Sequence, residues 1–162
     1  MKNLLLSAAA LLLAPGAIYS VDEPPLKEGF WTIRTQMTQN PGNTKEDTTR
    51  SVCRNHAYDA YTRSTAKKTN CKTISESTSG TTTTTDSECK VNDIVIRNKG
   101  TLTVTGDTAT RSEAHTTYTP AFGGVTESTM TTDQKYLGSC PAGVQPGDLT
   151  TADGKVNHLW KH

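Results

Sequence analysis

From Phe30 to Thr38 the chain alternates, with Trp31, Ile33 and Met37 on one side and Thr32, Arg34, Gln36 and Thr38 on the other. A period of two marks a half-buried strand. Asn40-Pro41-Gly42-Asn43 supplies turn residues. Thr44 to Val52 then reads as the returning strand, poor in apolar positions and suited to a sheet edge. The period changes next. Ala57, Ala60 and Ala66, with Tyr58 and Tyr61, predict a short helix within Arg54 to Lys67. Asn55 is placed to cap it, and Lys67-Lys68 suit the negative end of its dipole.

Two runs of strand-forming residues, Cys71 to Thr78 and Thr82 to Lys90, flank Ser79-Gly80. A three-residue loop, 79–81, would pair Thr78 with Thr82 and bring Cys71 opposite Cys89, within disulfide reach. A two-residue loop would shift the register by one and put the cysteines on opposite faces. The threonine run 81–85 is therefore expected to be a strand rather than a spacer. Ile94 and Ile96 alternate, Asn98-Lys99-Gly100 reads as a turn, and Leu102 and Val104 alternate again. Gly106-Asp107 and Gly123-Gly124 bound a long polar strand from Thr108 to Tyr118, and Val125 to Leu137 carries the chain to Cys140. Short strands separated by turn residues predict a mainly β fold, an antiparallel meander forming a curved sheet or partly closed barrel with one short helix.

Composition changes the picture at the ends. Met1-Lys2-Asn3, the apolar run Leu4 to Ala14 and Pro15-Gly16-Ala17 have the layout of a secretory signal peptide, residues 1–20. That run is shorter than the ~20 residues a membrane-spanning helix needs, and no later segment is apolar enough to span. Residues 21–140 read as one domain, exported to the periplasm or secreted. After Cys140 the chain is punctuated by Pro141, Gly143, Pro146, Gly147 and Gly154, and 141–162 is expected to be a flexible tail with little to bury.

Removal of residues 1–20 takes away one cation, Lys2, and leaves 16 basic and 16 acidic residues. That balance gives no electrostatic reason to expect nucleic acid as a partner. Arg54, Arg63, Lys67, Lys68 and Lys72 cluster locally and read as a solvated face. The exported part has only 19 Leu, Ile, Val and Phe but 30 Thr. Threonine is β-branched and favours strands, so a lean β core replaces the disorder that scarce aliphatics would otherwise suggest.

Four cysteines, Cys53, Cys71, Cys89 and Cys140, lie in the exported part, as two disulfides would require. Wide spacing and the lack of a Cys-x-x-Cys disfavour zinc. The hairpin pairs Cys71 with Cys89 and leaves Cys53 for Cys140, although four cysteines allow three connectivities.

Leu26-Lys27-Glu28-Gly29-Phe30-Trp31 resembles the Gly-x-Trp opening of a family of small exported bacterial proteins known as domain of unknown function 3617. Cys53 after the second strand, Cys71 and Cys89 in mid-chain, and Tyr136-Leu137-Gly138-Ser139-Cys140 follow that family's order. The resemblance covers about residues 26–140 and implies an exported β-rich domain. It implies no activity and no catalytic residues.

Catalytic signatures are not found: no Gly-x-Ser-x-Gly, no His-Glu-x-x-His and no phosphate-cradling glycine loop. His56 and Asp59 would be neighbours on a helix face, and His158 and His162 sit in the tail. No cofactor and no metal site is expected, and the chain reads as non-enzymatic. Trp31 has two readings, a core anchor against the sheet or the wall of an apolar pocket lined also by Ile33, Met37, Leu102 and Val104. The first functional expectation is a binding module for a small apolar or lipid-like ligand in the cell envelope. The second is a structural domain whose partner is another envelope protein.

Overall fold

The computed structural model describes residues 25–66, 70–158 and 160. The signal peptide assigned to residues 1–20 lies outside them, as do Lys67, Lys68 and His162. The described residues form nine strands and one helix, in the order β1 (Gly29–Asn40), β2 (Thr44–Arg54), α1 (His56–Ala66), β3 (Cys71–Ser79), β4 (Thr82–Val91), β5 (Ile94–Thr105), β6 (Ala109–Phe122), β7 (Val125–Gly138), β8 (Asp148–Thr151) and β9 (Val156–His158). They form one antiparallel sheet, ordered β3-β4-β5-β6-β7-β1-β2-β8-β9. The meander is therefore mainly β and curved but not closed, since β3 and β9 remain edges. β1 lies between the last long strand, β7, and its own hairpin partner, β2.

Register assigns the two faces. Trp31 lies opposite Val52 and Tyr136, Val104 opposite Thr110, and Leu102 opposite Thr83. Trp31, Val52, Thr83, Thr85, Leu102, Val104 and Thr110 are all buried, and all alternate onto this inner face. The outer face carries three ion pairs, Arg34–Asp47, Arg97–Glu88 and Arg111–Asp133. Apart from α1, no second layer exists among the described residues, so burial of the inner face comes from the sheet curling over it.

The threonine run is structural. Thr83 and Thr85 are buried at 4% and 5% exposure, while Thr84 faces water. Its hairpin differs from expectation in detail. The loop has two residues, Gly80-Thr81, with Ser79 opposite Thr82. Gly80 takes a φ of +59°, which suits a glycine-first loop. A bulge at Ile74 then absorbs one residue and returns Cys71 to its place opposite Cys89. The expected turn at Asn98-Lys99-Gly100 is also corrected, because β5 runs straight through it. Gly100 pairs with Thr85 on one side and Ala114 on the other, and this double pairing overrides the local turn chemistry. The real turn is Asn92-Asp93, where Asn92 has φ +54°.

Residues after Cys140 bury more than expected. Strand β8 pairs with Arg50–Val52, and the Gly147 amide donates to Cys53 O at 2.8 Å. The first half of β2, Thr44–Thr49, keeps the unpaired edge expected of the whole strand. Asp148 is 1% exposed and accepts hydrogen bonds from the Gln145 amide and His158 Nδ1. Burial pushes its carboxyl pKa up, but these two donors outweigh burial and hold it below the ordinary aspartate range. A depressed folded pKa stabilises above the unfolded value, ~3.9, and that contribution is lost as pH falls through the folded one. The β8–β9 hairpin is therefore expected to loosen below about pH 4. Fluorescence of Trp160, which packs on Tyr58 and Tyr61, reads this out. Asp148→Asn should flatten the pH profile, and an equally steep profile in that variant would contradict the assignment.

Candidate functional site

Trp31 lies in β1 between β2 and β7, opposite Val52 and Tyr136. Its ring is 0% exposed and meets Tyr136 edge-on at 5.9 Å. Its Nε1 donates to Lys27 O at 2.8 Å, and the Arg54 guanidinium lies 5.1 Å from the ring centroid. Arg54 is itself buried and donates to Asp59 Oδ1 at 2.9 Å and to Gln134 Oε1 at 3.0 Å. A buried charge requires such a partner. The basic cluster expected as one solvated face is thus divided, with Arg54 in the core and Lys72 paired with Glu88 on the outer face. Asn55 Oδ1 caps α1 by accepting the Tyr58 amide at 2.8 Å. Asp59 turns inward to Arg54, while His56 lies near Glu28, so the two do not form the helix-face pair expected of them.

The other residues named as lining share the inner face but not one pocket. Ile33 and Met37 belong to β1, and Leu102 and Val104 to β5, with β7 and β6 between them. Three strand spacings separate the pairs by roughly 14 Å along the sheet. Trp31, Leu102 and Val104 are buried, and only Ile33 and Met37 keep half-exposed surface. A cleft of about 430 Å³ touches Met37, but its other walls include Gln36, Thr38, Lys45, Asp47, Thr129 and Thr131, which are polar.

The sheet adds partners that periodicity did not single out. Met37 lies opposite Met130 of β7, which lies opposite Ala114 of β6, which lies opposite Gly100. Both Met130 and Ala114 are half-exposed. The result is a low apolar band running across the inner face. Two buried hydroxyls on this face, Thr85 Oγ1 and Thr110 Oγ1, have no hydrogen-bond partner among the described residues. The register set by the Gly123-Gly124 turn would put Ala114 opposite Asp133; an irregularity between Thr117 and Phe122 shifts the pairing and brings Ala114 opposite Met130, so no local signal marks this pair or the orphaned hydroxyls.

Both cysteine pairs stand at disulfide distance, Cys53–Cys140 with Cα atoms 5.5 Å apart and Cys71–Cys89 with Cα atoms 3.9 Å apart. The first fastens the end of β2 to the segment after β7, and the second closes the edge hairpin. A family model described as a protein of unknown function, DUF3617, matches residues 26–140. The chain belongs to the DUF3617 family. The matched span contains all four cysteines, Trp31 and the inner-face band, while β8 and β9 of this DUF3617 chain lie beyond it. No curated protein matches the chain. Among the described residues, no three His, Cys, Asp or Glu side chains gather as a metal site, and no helix is long and apolar enough to cross a membrane.

Proposed function

We propose that this protein is an exported, non-enzymatic binding module whose inner sheet face holds a small apolar or lipid-like ligand in the cell envelope. The observation that carries the reading is the Met37–Met130–Ala114 band, left half-exposed on the face that the sheet curls around. Sites for small ligands are concave and mostly apolar, with a few placed polar groups. Trp31 is not part of this site; it anchors the end of the face. Export is supported by the leader-like residues 1–20 and by two cysteine pairs compatible with an oxidising compartment.

Native mass spectrometry of detergent-free protein from its own compartment tests the reading. A mass excess that disappears on denaturation is the expected result. In vitro, the neutral probe N-phenyl-1-naphthylamine should bind the wild type, and Met130→Glu should weaken it by about tenfold or more, since a charge would enter the apolar band. Equal binding by wild type and variant would place the ligand elsewhere.

A second reading, a structural or protein-interaction domain, draws on β3. All nine of its residues are exposed, and its outer edge is unpaired. Lys72 and the bulge at Ile74 blunt that edge, as edge strands commonly require. A clean native mass, with the protein cross-linked to a second envelope protein in intact cells, would favour this reading instead.

A further inference from the structure

We infer that the ligand of the inner face is an amphiphile with a single carboxylate head, held by Arg50. This rests on the inner face being a ligand site and specifies that ligand's chemistry.

Arg34, Arg54, Arg97 and Arg111 each bond a carboxylate. Arg50 does not. It lies in β2 opposite Ile33 of β1 and Thr151 of β8, two residues from buried Val52, so the pleat turns its side chain to the inner face. Its side chain has no hydrogen bond or ion pair among the described residues; the residue is half-exposed, with its Nε closed off from solvent. A buried donor left without an acceptor is costly, the more so when charged. Its inner-face neighbours along and across the strands, Thr48, Val52, Ile33 and Thr151, offer no carboxylate.

Thr110 is a second orphaned donor on this face. It belongs to the same cross-strand row, Val104–Thr110–Gln134–Ile33–Arg50. It is 7% exposed and its hydroxyl is unpartnered. Gln134 lies between them, and its carbonyl oxygen is already committed to Arg54. Three strand spacings, roughly 14 Å, separate Thr110 from Arg50, so one head group does not span them and the carboxylate is held by the Arg50 guanidinium alone. The apolar band begins four residues along β1, at Met37, about 13 Å away. Such spacing suits a head at Arg50 and an acyl chain lying over Met130 and Ala114.

Charge selects the head. A phosphate monoester carries about two negative charges near neutrality, but Arg54, the other inner-face arginine, is already neutralised by Asp59. One free guanidinium matches one carboxylate, which it can grip through two parallel hydrogen bonds.

The test is calorimetric titration of ligand-stripped protein with dodecanoic acid, its methyl ester, dodecanol and dodecyl phosphate. The acid should bind at least about tenfold tighter than the ester, the alcohol or the phosphate. Arg50→Gln should abolish the acid's advantage while leaving dodecanol affinity unchanged, and Arg50→Lys should restore part of it. Should Arg50→Gln fail to fold, the acid-to-ester comparison on the wild type still decides. Equal binding of acid and alcohol would overturn the carboxylate assignment but leave the binding-module reading standing. Tighter binding of the phosphate would overturn it in favour of a second cation. Binding of none of the four would sink both.

Discussion

Deleting the Cys53–Cys140 bridge, as the Cys53→Ala/Cys140→Ala variant, is expected to cost about 4–5 kcal/mol of stability, against about 3 kcal/mol for Cys71→Ala/Cys89→Ala. The difference follows from loop size. The first bridge spans 87 residues and the second 18, so the first removes more freedom from the unfolded chain. Domains are stable by only about 5–15 kcal/mol in all, and the fully buried hydrophobic side chains here are few. The first variant should therefore melt near or below physiological temperature, while the second remains folded with β3 loosened. Urea midpoints give the order directly, and a lower midpoint for the hairpin variant would contradict the loop argument. Reduction separates the bridges again. Cys53 is buried, whereas Cys71 is exposed on the edge strand, so limited reductant should open Cys71–Cys89 first. An unchanged melting curve with four free thiols confirmed would show that neither bridge matters.

Much of the sheet was legible because alternation and turn residues are local properties. Trp31, Ile33 and Met37 revealed β1, and Gly106 and Gly123-Gly124 revealed the turns around β6. Locality is also where the reading failed. Asn98-Lys99-Gly100 has turn chemistry but sits mid-strand, because pairing on both sides outweighs a local preference. Asn92-Asp93 does turn, yet it was hidden between the apolar flanks Val91 and Ile94. The bulge at Ile74 cannot be read from a period of two, since it is the interruption of that period. The inner-face neighbours of Met37 and Arg50 depend on register between strands about a hundred residues apart in the chain, such as Thr35 and Thr132. The segment after Cys140 looked empty because it is poor in apolar residues. Its docking uses polar groups instead, the Gly147 amide on Cys53 and the bonds to Asp148.

Trp31→Ala is expected to destabilise the domain by about 3–5 kcal/mol, the usual cost of removing a buried aromatic side chain. The site has little means of collapsing into the space. Tyr136 would lose its ring partner, and Arg54, fixed by Asp59 and Gln134, would face a cavity in place of a π surface. Trp31→Phe separates two contributions. It keeps most of the packing but deletes the N–H donated to Lys27 O, which should cost a further ~1 kcal/mol beyond the lost volume. Far-ultraviolet circular dichroism in urea is the suitable measurement, because Trp160 would confuse fluorescence. The pair also decides what Trp31 is for. An anchor predicts large stability losses, with ligand affinity preserved in whatever fraction remains folded. A pocket wall predicts the reverse: near-native stability and lost binding. With its ring closed to solvent and its only polar atom bonded, Trp31 has no surface left to offer a ligand, so loss of stability is the expected outcome. A Trp31→Ala protein melting within about 1 kcal/mol of wild type would mean that Val52, Leu102 and the two bridges hold the sheet without it.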